Sequence, residues 1–311
     1  MSLNLLSYLC LAVFILAAVG RVIQQFKMPV HLRWEIYPVK HEPGEKARYG
    51  GSYMEESNWW EKKRHSSLFN EAKYMIPEIL LLRGLWEENR KLWWISFPFH
   101  FGLYMGIGTF VLILIGAMGM IAGAEIGPEG GGISLFLYYL TILSGFIGLT
   151  LGTIGVAGLF FRRLSDPEMK KYSSFADYFN LVFLLFFFVV ALLAWLFVDH
   201  AFDGARAYIY SLLTFSGQAG PGRSSLGWLT IVLTSLLMAY IPLTHMSHMF
   251  MKYFMYHQVR WEDEPNLKGS KIEAAILKNL GFKPTWAAPH IAGDGAKTWV
   301  DLATSGPKEK K

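Results

Sequence analysis

A single cysteine, Cys10, stands among 311 residues, and its isolation removes several chemistries at once. An iron–sulfur cluster usually takes four thiolates, and a c-type haem attachment or an internal disulfide takes two. Any redox centre in this chain is therefore held by other ligands. Charge is scarce as well. Asp, Glu, Lys and Arg make up 17% of the residues, against about 25% in soluble domains. Apolar residues make up 53%, and mean hydropathy is +0.29. That balance disfavours an ordinary cytosolic enzyme and points to a membrane protein. The 30 glycines follow no fixed period and 16% of the residues are aromatic, which excludes collagen-like repetition and disorder. Internal repeats and low-complexity segments are absent.

Five segments are long enough to cross about 30 Å of hydrocarbon, which takes roughly 20 apolar residues. They are Leu3 to Gly20, Phe97 to Ile121, Ser134 to Phe161, Tyr178 to Val198 and Leu226 to Met251. The fourth contains LVFLLFFFVVALLAW. No Lys or Arg precedes the first segment, whereas Arg21 and Lys27 follow it, so it reads as a retained anchor rather than a cleaved signal peptide. Residues 21–97, 162–177 and 252–311 together hold 27 of the 29 Lys and Arg, while 122–133 hold none. The positive-inside rule then predicts an all-α integral membrane protein in the cytoplasmic (inner) membrane of a prokaryote. Its five transmembrane helices form a bundle with a periplasmic N-terminus and a cytoplasmic C-terminus. Because the positive charge is topological, nucleic acid is not an expected partner.

This reading divides the chain into an anchor helix (1–20), a cytoplasmic loop (21–96), a four-helix membrane domain (97–255) and a cytoplasmic tail (256–311). In the loop, SSLFNEAKYMIPEILLLRGLWEENRKLWW has the mixed composition of an amphipathic helix lying on lipid. Trp59, Trp60, Trp86, Trp93 and Trp94 fit an interfacial belt. The same loop is suited to docking a soluble partner. In the tail, SKIEAAILKNL predicts a further short helix.

The central portions of the spans contain no Asp, Glu, Lys or Arg, so a carboxylate-lined ion or proton path has little to work with. Histidine remains: His100 on the second span, His245 and His248 on the fifth. Ionisable groups inside a membrane are functional candidates by default. His100 is three residues inside the start of a span that runs outward. His248 is three residues before the end of one that runs inward. The two are thus expected about one helical turn below the cytoplasmic surface, where imidazoles from antiparallel helices can approach one iron from opposite sides. That is the requirement of a bis-histidine b-type haem. His245, at i, i+3 from His248 and roughly 4.5 Å deeper by helical rise, is an alternative second ligand. Gly102, Gly106 and Gly108 either admit the flat macrocycle or serve ordinary helix packing. Met246, Met249, Met251 and Met255 suit flexible packing around a flat cofactor or a partner. The other histidines, His31, His41, His65, His257 and His290, are expected in solvated segments, with His200 at the outer boundary.

Several local sequences strengthen this reading: Phe99-His100-Phe101-Gly102, Arg162-Arg163-Leu164-Ser165-Asp166-Pro167, Ala176-Asp177, and Ile241-Pro242-Leu243 leading to His248. With five spans, a histidine opening the second and a histidine closing the fifth, the chain resembles the gamma subunit of respiratory nitrate reductase. Its superfamily also holds the haem b membrane subunits of sulfite reductase-linked, transmembrane redox and heterodisulfide reductase-type complexes. The resemblance covers roughly residues 97 to 255 and, through the proline, places the second ligand on His248. The two-haem nitrate reductase subunit carries further histidines where this chain has Phe110 and Thr230, so one haem b is implied here. The long first loop and PLTHMSHMFMKYFMYHQVRWEDEP look more like subunits that work with cytoplasmic, heterodisulfide reductase-like iron–sulfur proteins.

The implied function is that of a membrane cytochrome b subunit of a quinone-linked respiratory oxidoreductase. It passes electrons between membrane quinone or quinol (menaquinone among them) and a cytoplasmic iron–sulfur subunit, with room for further periplasmic or membrane subunits. Arg162 and Arg163 are candidates to pair with haem propionates or to line a quinone site, besides serving as positive-inside residues. The competing reading is a membrane anchor without its own redox centre. A transporter or channel ranks last, since the sequence lacks charged residues at midplane and repeated spans.

Overall fold

Long uninterrupted apolar runs, with the breaks supplied by Gly, Pro, Asn and Ser, give a structure made of helices. The computed structural model describes residues 2–29, 56–58, 61–62, 67–216, 224–255, 267–286, 291 and 294–305. Among them the elements are α1 (Leu3–Lys27), α2 (Leu68–Leu80), α3 (Arg83–Glu88), α4 (Arg90–Ile121), α5 (Ile133–Ser165), α6 (Pro167–Lys171), α7 (Phe175–Phe197), α8 (Asp203–Thr214), α9 (Ser225–Tyr240), α10 (His248–Met255), α11 (Lys271–Leu280) and α12 (Trp299–Thr304). Helices α1, α4, α5 and α7, together with Ser225–Leu243, are long and apolar enough to cross a membrane. The protein is a multi-pass membrane protein, and the regular elements among the described residues are all helical. His31, His41, His65, His257, His290, Trp59 and Trp60 lie outside the described residues.

Several boundaries differ from the sequence reading for local reasons. Helix α1 runs on past Gly20 to Lys27, because a lone glycine weakens a helix without ending it. Helix α4 starts seven residues earlier than expected, at Arg90, where the Asn89 side chain accepts a hydrogen bond from the Leu92 N–H at 3.1 Å. Asp166 caps α6, and a reciprocal capping box between Ser174 and Asp177 opens α7. The amphipathic stretch is not one helix. It breaks at Leu82, which takes a left-handed conformation (φ 52°), and α3 follows.

The chain forms two compact units, Met1–Ala17 with Ile76–His245, and Ala18–Met75 with Met246–Lys311. In the first unit, α4 and α5 meet backbone to backbone. A β-carbon at Gly102 would overlap Gly152, and one at Gly155 would overlap Phe99. Buried hydroxyls stitch the same seam, with Thr109 donating to Ser144 at 3.0 Å and Ser144 to the Met105 carbonyl at 3.1 Å. Phe188 of α7, 2% exposed, packs its ring against Gly152. The start of α1 is held by hydroxyls too: Ser7 Oγ lies 2.9 Å from Tyr208 Oη and 2.8 Å from Ser235 Oγ. Tyr8 donates to the Leu212 carbonyl at 2.7 Å. These contacts set the start of α1 beside α8, at the end of the unit that is poor in Lys and Arg. The opposite, basic end carries Arg162, Arg163, Lys170 and Lys171.

In the second unit, Phe26 packs edge-on against Phe254 at 5.3 Å. Helix α11 is capped by Ser270 and α12 by a Thr298–Asp301 capping box. Trp286 meets Trp299 edge-on at 5.9 Å.

Candidate haem-binding site

His100 lies on α4 at the basic end of the first unit, half-buried. Its Nδ1 sits 2.7 Å from the Ser96 carbonyl oxygen, one turn earlier, and 3.3 Å from Ser96 Oγ. A carbonyl can only accept, so Nδ1 carries the proton and the lone pair of the neutral ring is on Nε2. This is the tautomer that an iron-ligating imidazole needs, held by a hydrogen bond to its other nitrogen. Ser96, His100 and Tyr104 follow at i, i+4 spacing and share a face. Tyr104 donates to the Ile79 carbonyl at 2.7 Å, and Trp93 Nε1 to the Leu81 carbonyl at 2.7 Å. The C-terminal end of α2 is thereby fixed to the helix that bears His100. Trp93 stacks on Phe97 at 4.5 Å and meets Trp86 and Trp94 edge-on. Three of the expected interfacial tryptophans thus form one aromatic cluster, with the Arg90 guanidinium 4.0 Å over Trp86.

Of the glycines after His100, Gly102 serves close helix packing, and the Gly106 backbone lies on the same seam. Gly102 faces Gly152, and a β-carbon at Gly148 would lie 2.9 Å from the Gly106 nitrogen. Gly108 is in ordinary contact distance of Ser144 Oγ, at 3.7 Å.

The fifth span differs most from the expected one. A continuous helix to Met251 is not formed. Helix α9 ends at Tyr240, and Ile241–Leu243 and His245–Ser247 are 3-10 turns, after which α10 begins at His248. Pro242 is the local cause, having no N–H to continue an α-helical ladder. The helical stretch that is long and apolar enough to cross a membrane ends at Leu243, and His245 and His248 follow it in the chain. They are not on one α-helix, and the rise between them is not that of a continuous helix. His245 ends the first unit and His248 falls in the second. Both are exposed.

His245 has a buried neighbour that sequence reasoning missed. Asn180 of α7, 4% exposed, accepts a hydrogen bond from Tyr240 Oη at 2.6 Å. Its Nδ2 lies 3.4 Å from His245 Nδ1 and 3.5 Å from Nε2. Asparagine in an apolar span was the available signal, since a buried carboxamide requires partners.

Arg162 and Arg163 already have carboxylate partners in the chain. Arg163 donates to Ser173 Oγ at 2.9 Å and pairs with Asp177 at 3.5 Å, while Arg162 lies 4.0 Å from Asp166. Arg163, Glu168, Met169, Tyr172, Ser173 and Asp177 line an open recess of about 340 Å³. At the end poor in Lys and Arg, His200 lies 5.9 Å from the Trp195 ring. Arg206 was also missed. It is 2% exposed, pairs with Asp203 at 2.6 Å, and leaves Nε and Nη2 buried without a hydrogen-bond partner. Its guanidinium arm lies over Gly116 of α4.

The family model for the nitrate reductase gamma subunit matches residues 85–262, more than half of the chain. The chain belongs to the nitrate reductase gamma subunit family. Members of this family are membrane cytochrome b electron-transfer subunits of redox enzyme complexes; they bind haem b and associate with catalytic and iron–sulfur subunits. Neither a curated protein nor a solved structure matches the chain significantly. The matched segment contains His100, Arg162, Arg163, His245 and His248, so the gamma-subunit region holds every sequence-selected site residue. Helices α1 and α2 lie outside it.

The site suits the haem b of a gamma subunit at His100. Nδ1 is held by a backbone carbonyl, and the surroundings of the ring are aromatic: Phe99 at 5.1 Å and Tyr104 at 6.5 Å.

Proposed function

We propose that this chain carries electrons between membrane quinone and a cytoplasmic iron–sulfur partner through one haem b, which His100 and His248 would hold. The observation that carries the proposal is the hydrogen bond from His100 Nδ1 to the Ser96 carbonyl. Haem b supplies reversible one-electron transfer. The chain supplies ligand orientation, a low-dielectric surround and docking. Ser96 holds the proton on Nδ1, and Tyr104 and Trp93 anchor α2 beside the ligand. His248 is preferred to His245 because the family resemblance, aligned through Pro242, places the second ligand there. Phe110 and Thr230, where a two-haem relative has histidine, leave one haem per chain. A heterodisulfide reductase-like partner is favoured by the long loop between α1 and α4.

The membrane orientation belongs to the same proposal. The start of α1 shares its end of the unit with α8, and basic residues crowd the opposite end. A periplasmic N-terminus and cytoplasmic C-terminus follow from the positive-inside rule. Family membership favours this reading over a redox-free anchor.

A reduced-minus-oxidised spectrum with a pyridine haemochrome assay on purified protein tests the ligation. About one haem b per chain is expected, lost in His100→Ala and His248→Ala and kept in His245→Ala. Two haems per chain, or none in folded wild-type protein, would overturn the single-haem assignment.

A further inference from the structure

The last carbonyls of an α-helix have no partner within it, and at a membrane surface water can serve them. At the end of α2 side chains of α4 do so instead. The Ile79 carbonyl accepts from Tyr104 Oη, and the Leu81 carbonyl, just past the helix, accepts from Trp93 Nε1, each at 2.7 Å. The two donors stand on either side of His100. Steps of seven and four residues place Trp93, His100 and Tyr104 within about 40° of one another around an α-helix, with a rise of roughly 10 Å from Trp93 to His100 and about 6 Å from His100 to Tyr104. The corner that joins α2 to α3 is thus fastened to the stripe of α4 that carries the candidate haem ligand, both before and after it.

The corner is also held in a costly shape. Leu82 takes a left-handed conformation (φ 52°), which disfavours a residue with a β-carbon, and Glu78 braces the turn by accepting from the Gly84 N–H at 2.9 Å. Such conformations persist where the surroundings over-determine them, and they cluster at functional sites. A helix that only lay on lipid would need neither the strained turn nor the two bonds to α4. Ile79 and Leu81 precede the segment matched to the gamma subunit, residues 85–262, so the attachment comes from this chain's own long loop. We propose that the α2–α3 corner is a strap across the ligand-bearing face of α4, with Trp93 and Tyr104 as positioning residues that keep water from His100 and thereby set the redox equilibrium of the haem b. The inference rests on the assignment of His100 as a haem ligand and adds to it an element from outside the matched segment. A low-dielectric surround disfavours the ferric state, which carries one more positive charge than the ferrous. Admitting water at His100 therefore favours oxidation.

The test uses the purified full chain with its haem in nanodiscs. Tyr104→Phe and Trp93→Phe each delete one donor and keep an aromatic ring, and Trp94→Phe, at a tryptophan that is 64% exposed, is the control. In the double variant, amide hydrogen exchange should speed at least fivefold across residues 78–86 and stay unchanged in α5 and α7. An equilibrium redox titration against a dye should shift at least threefold towards the oxidised haem, with haem content unchanged. Trp94→Phe should alter neither readout. Faster exchange with an unmoved redox equilibrium would show a corner that only packs, and unchanged exchange would show that the two bonds do not hold it. Either result overturns the proposal and leaves the haem assignment standing. If His100→Ala keeps its full haem content, that assignment falls and this inference with it.

Discussion

Two alanine substitutions one turn apart on α4 should have opposite effects, because the structure gives the two glycines different surroundings. An ideal β-carbon at Gly102 would lie 2.6 Å from Gly152 Cα and 2.9 Å from the Gly148 carbonyl oxygen. These are backbone atoms of another helix, so no rotamer change relieves the overlap. Ordinary contact begins near 3.4 Å, so α4 and α5 must part by roughly 1 Å. That movement would also loosen Gly155 from Phe99 and stretch the 3.0 Å Thr109–Ser144 hydrogen bond. Overpacking of this kind costs about 1–3 kcal/mol, and the rigidity of both sides puts Gly102→Ala in the upper part of that range. At Gly106 a β-carbon meets nothing within 4 Å. There Gly→Ala should be neutral or stabilising by up to about 1 kcal/mol, from helix propensity alone. A gap of about 3 kcal/mol between the variants is roughly a hundredfold in the folding equilibrium. Unfolding by SDS in mixed micelles, followed by far-UV circular dichroism, resolves a difference of that size. Equal stabilities, or Gly106→Ala the weaker of the two, would refute the backbone-contact reasoning.

Removing the carboxylate in Asp203→Ala leaves the 2%-exposed Arg206 without its 2.6 Å partner. The expected loss is about 3 kcal/mol, the low end for a broken buried pair because Asp203 itself is well exposed. Arg206→Met should be neutral or stabilising in the same SDS titration, since it removes the charge together with its desolvation cost; a loss as large as that of Asp203→Ala would contradict this account. At the other end of the chain, the Asp301 carboxyl is held below its ordinary value near 3.8 by the Thr298 backbone N–H and then by the Thr298 hydroxyl. Asp294 is held low by the N–H groups of Lys297 and Ala296. A lowered folded-state value means that the stabilisation is complete above the unfolded value and is lost as pH falls through the folded one. Amide hydrogen exchange across α12 should therefore be flat from pH 7 to about 5, once corrected for intrinsic rates, and lose protection only below about pH 4. Protection that declines between pH 7 and 5 would show that another group controls this cap.

Much of the architecture was legible in single segments. The five apolar runs, the segregation of Lys and Arg and the isolated His100 depend on residues within one stretch of chain, and transfer into lipid is close to a sum over residues. The helix starts at Asn89, Asp166 and Ser174 were readable in principle too, since a cap acts over three or four residues. The end of the fifth span was misplaced although Pro242 stood in plain view. Hydropathy does not register a missing N–H, and the apolar count simply ran on to Met251.

The sequence by itself determined that this is a helical membrane protein with its Lys and Arg segregated into a few segments outside the apolar runs and a histidine near the start of α4, because burial in lipid and charge content are local properties. Tertiary structure alone decided which role Gly102 and Gly106 play, that Asn180 and His245 meet across 65 positions of chain, and that Arg206 is buried against Gly116. Each of these depends on which helix faces which, a relation between distant residues that no local pattern encodes. Close approach of backbones and pairing of polar groups in a low-dielectric interior then assign each side chain its role.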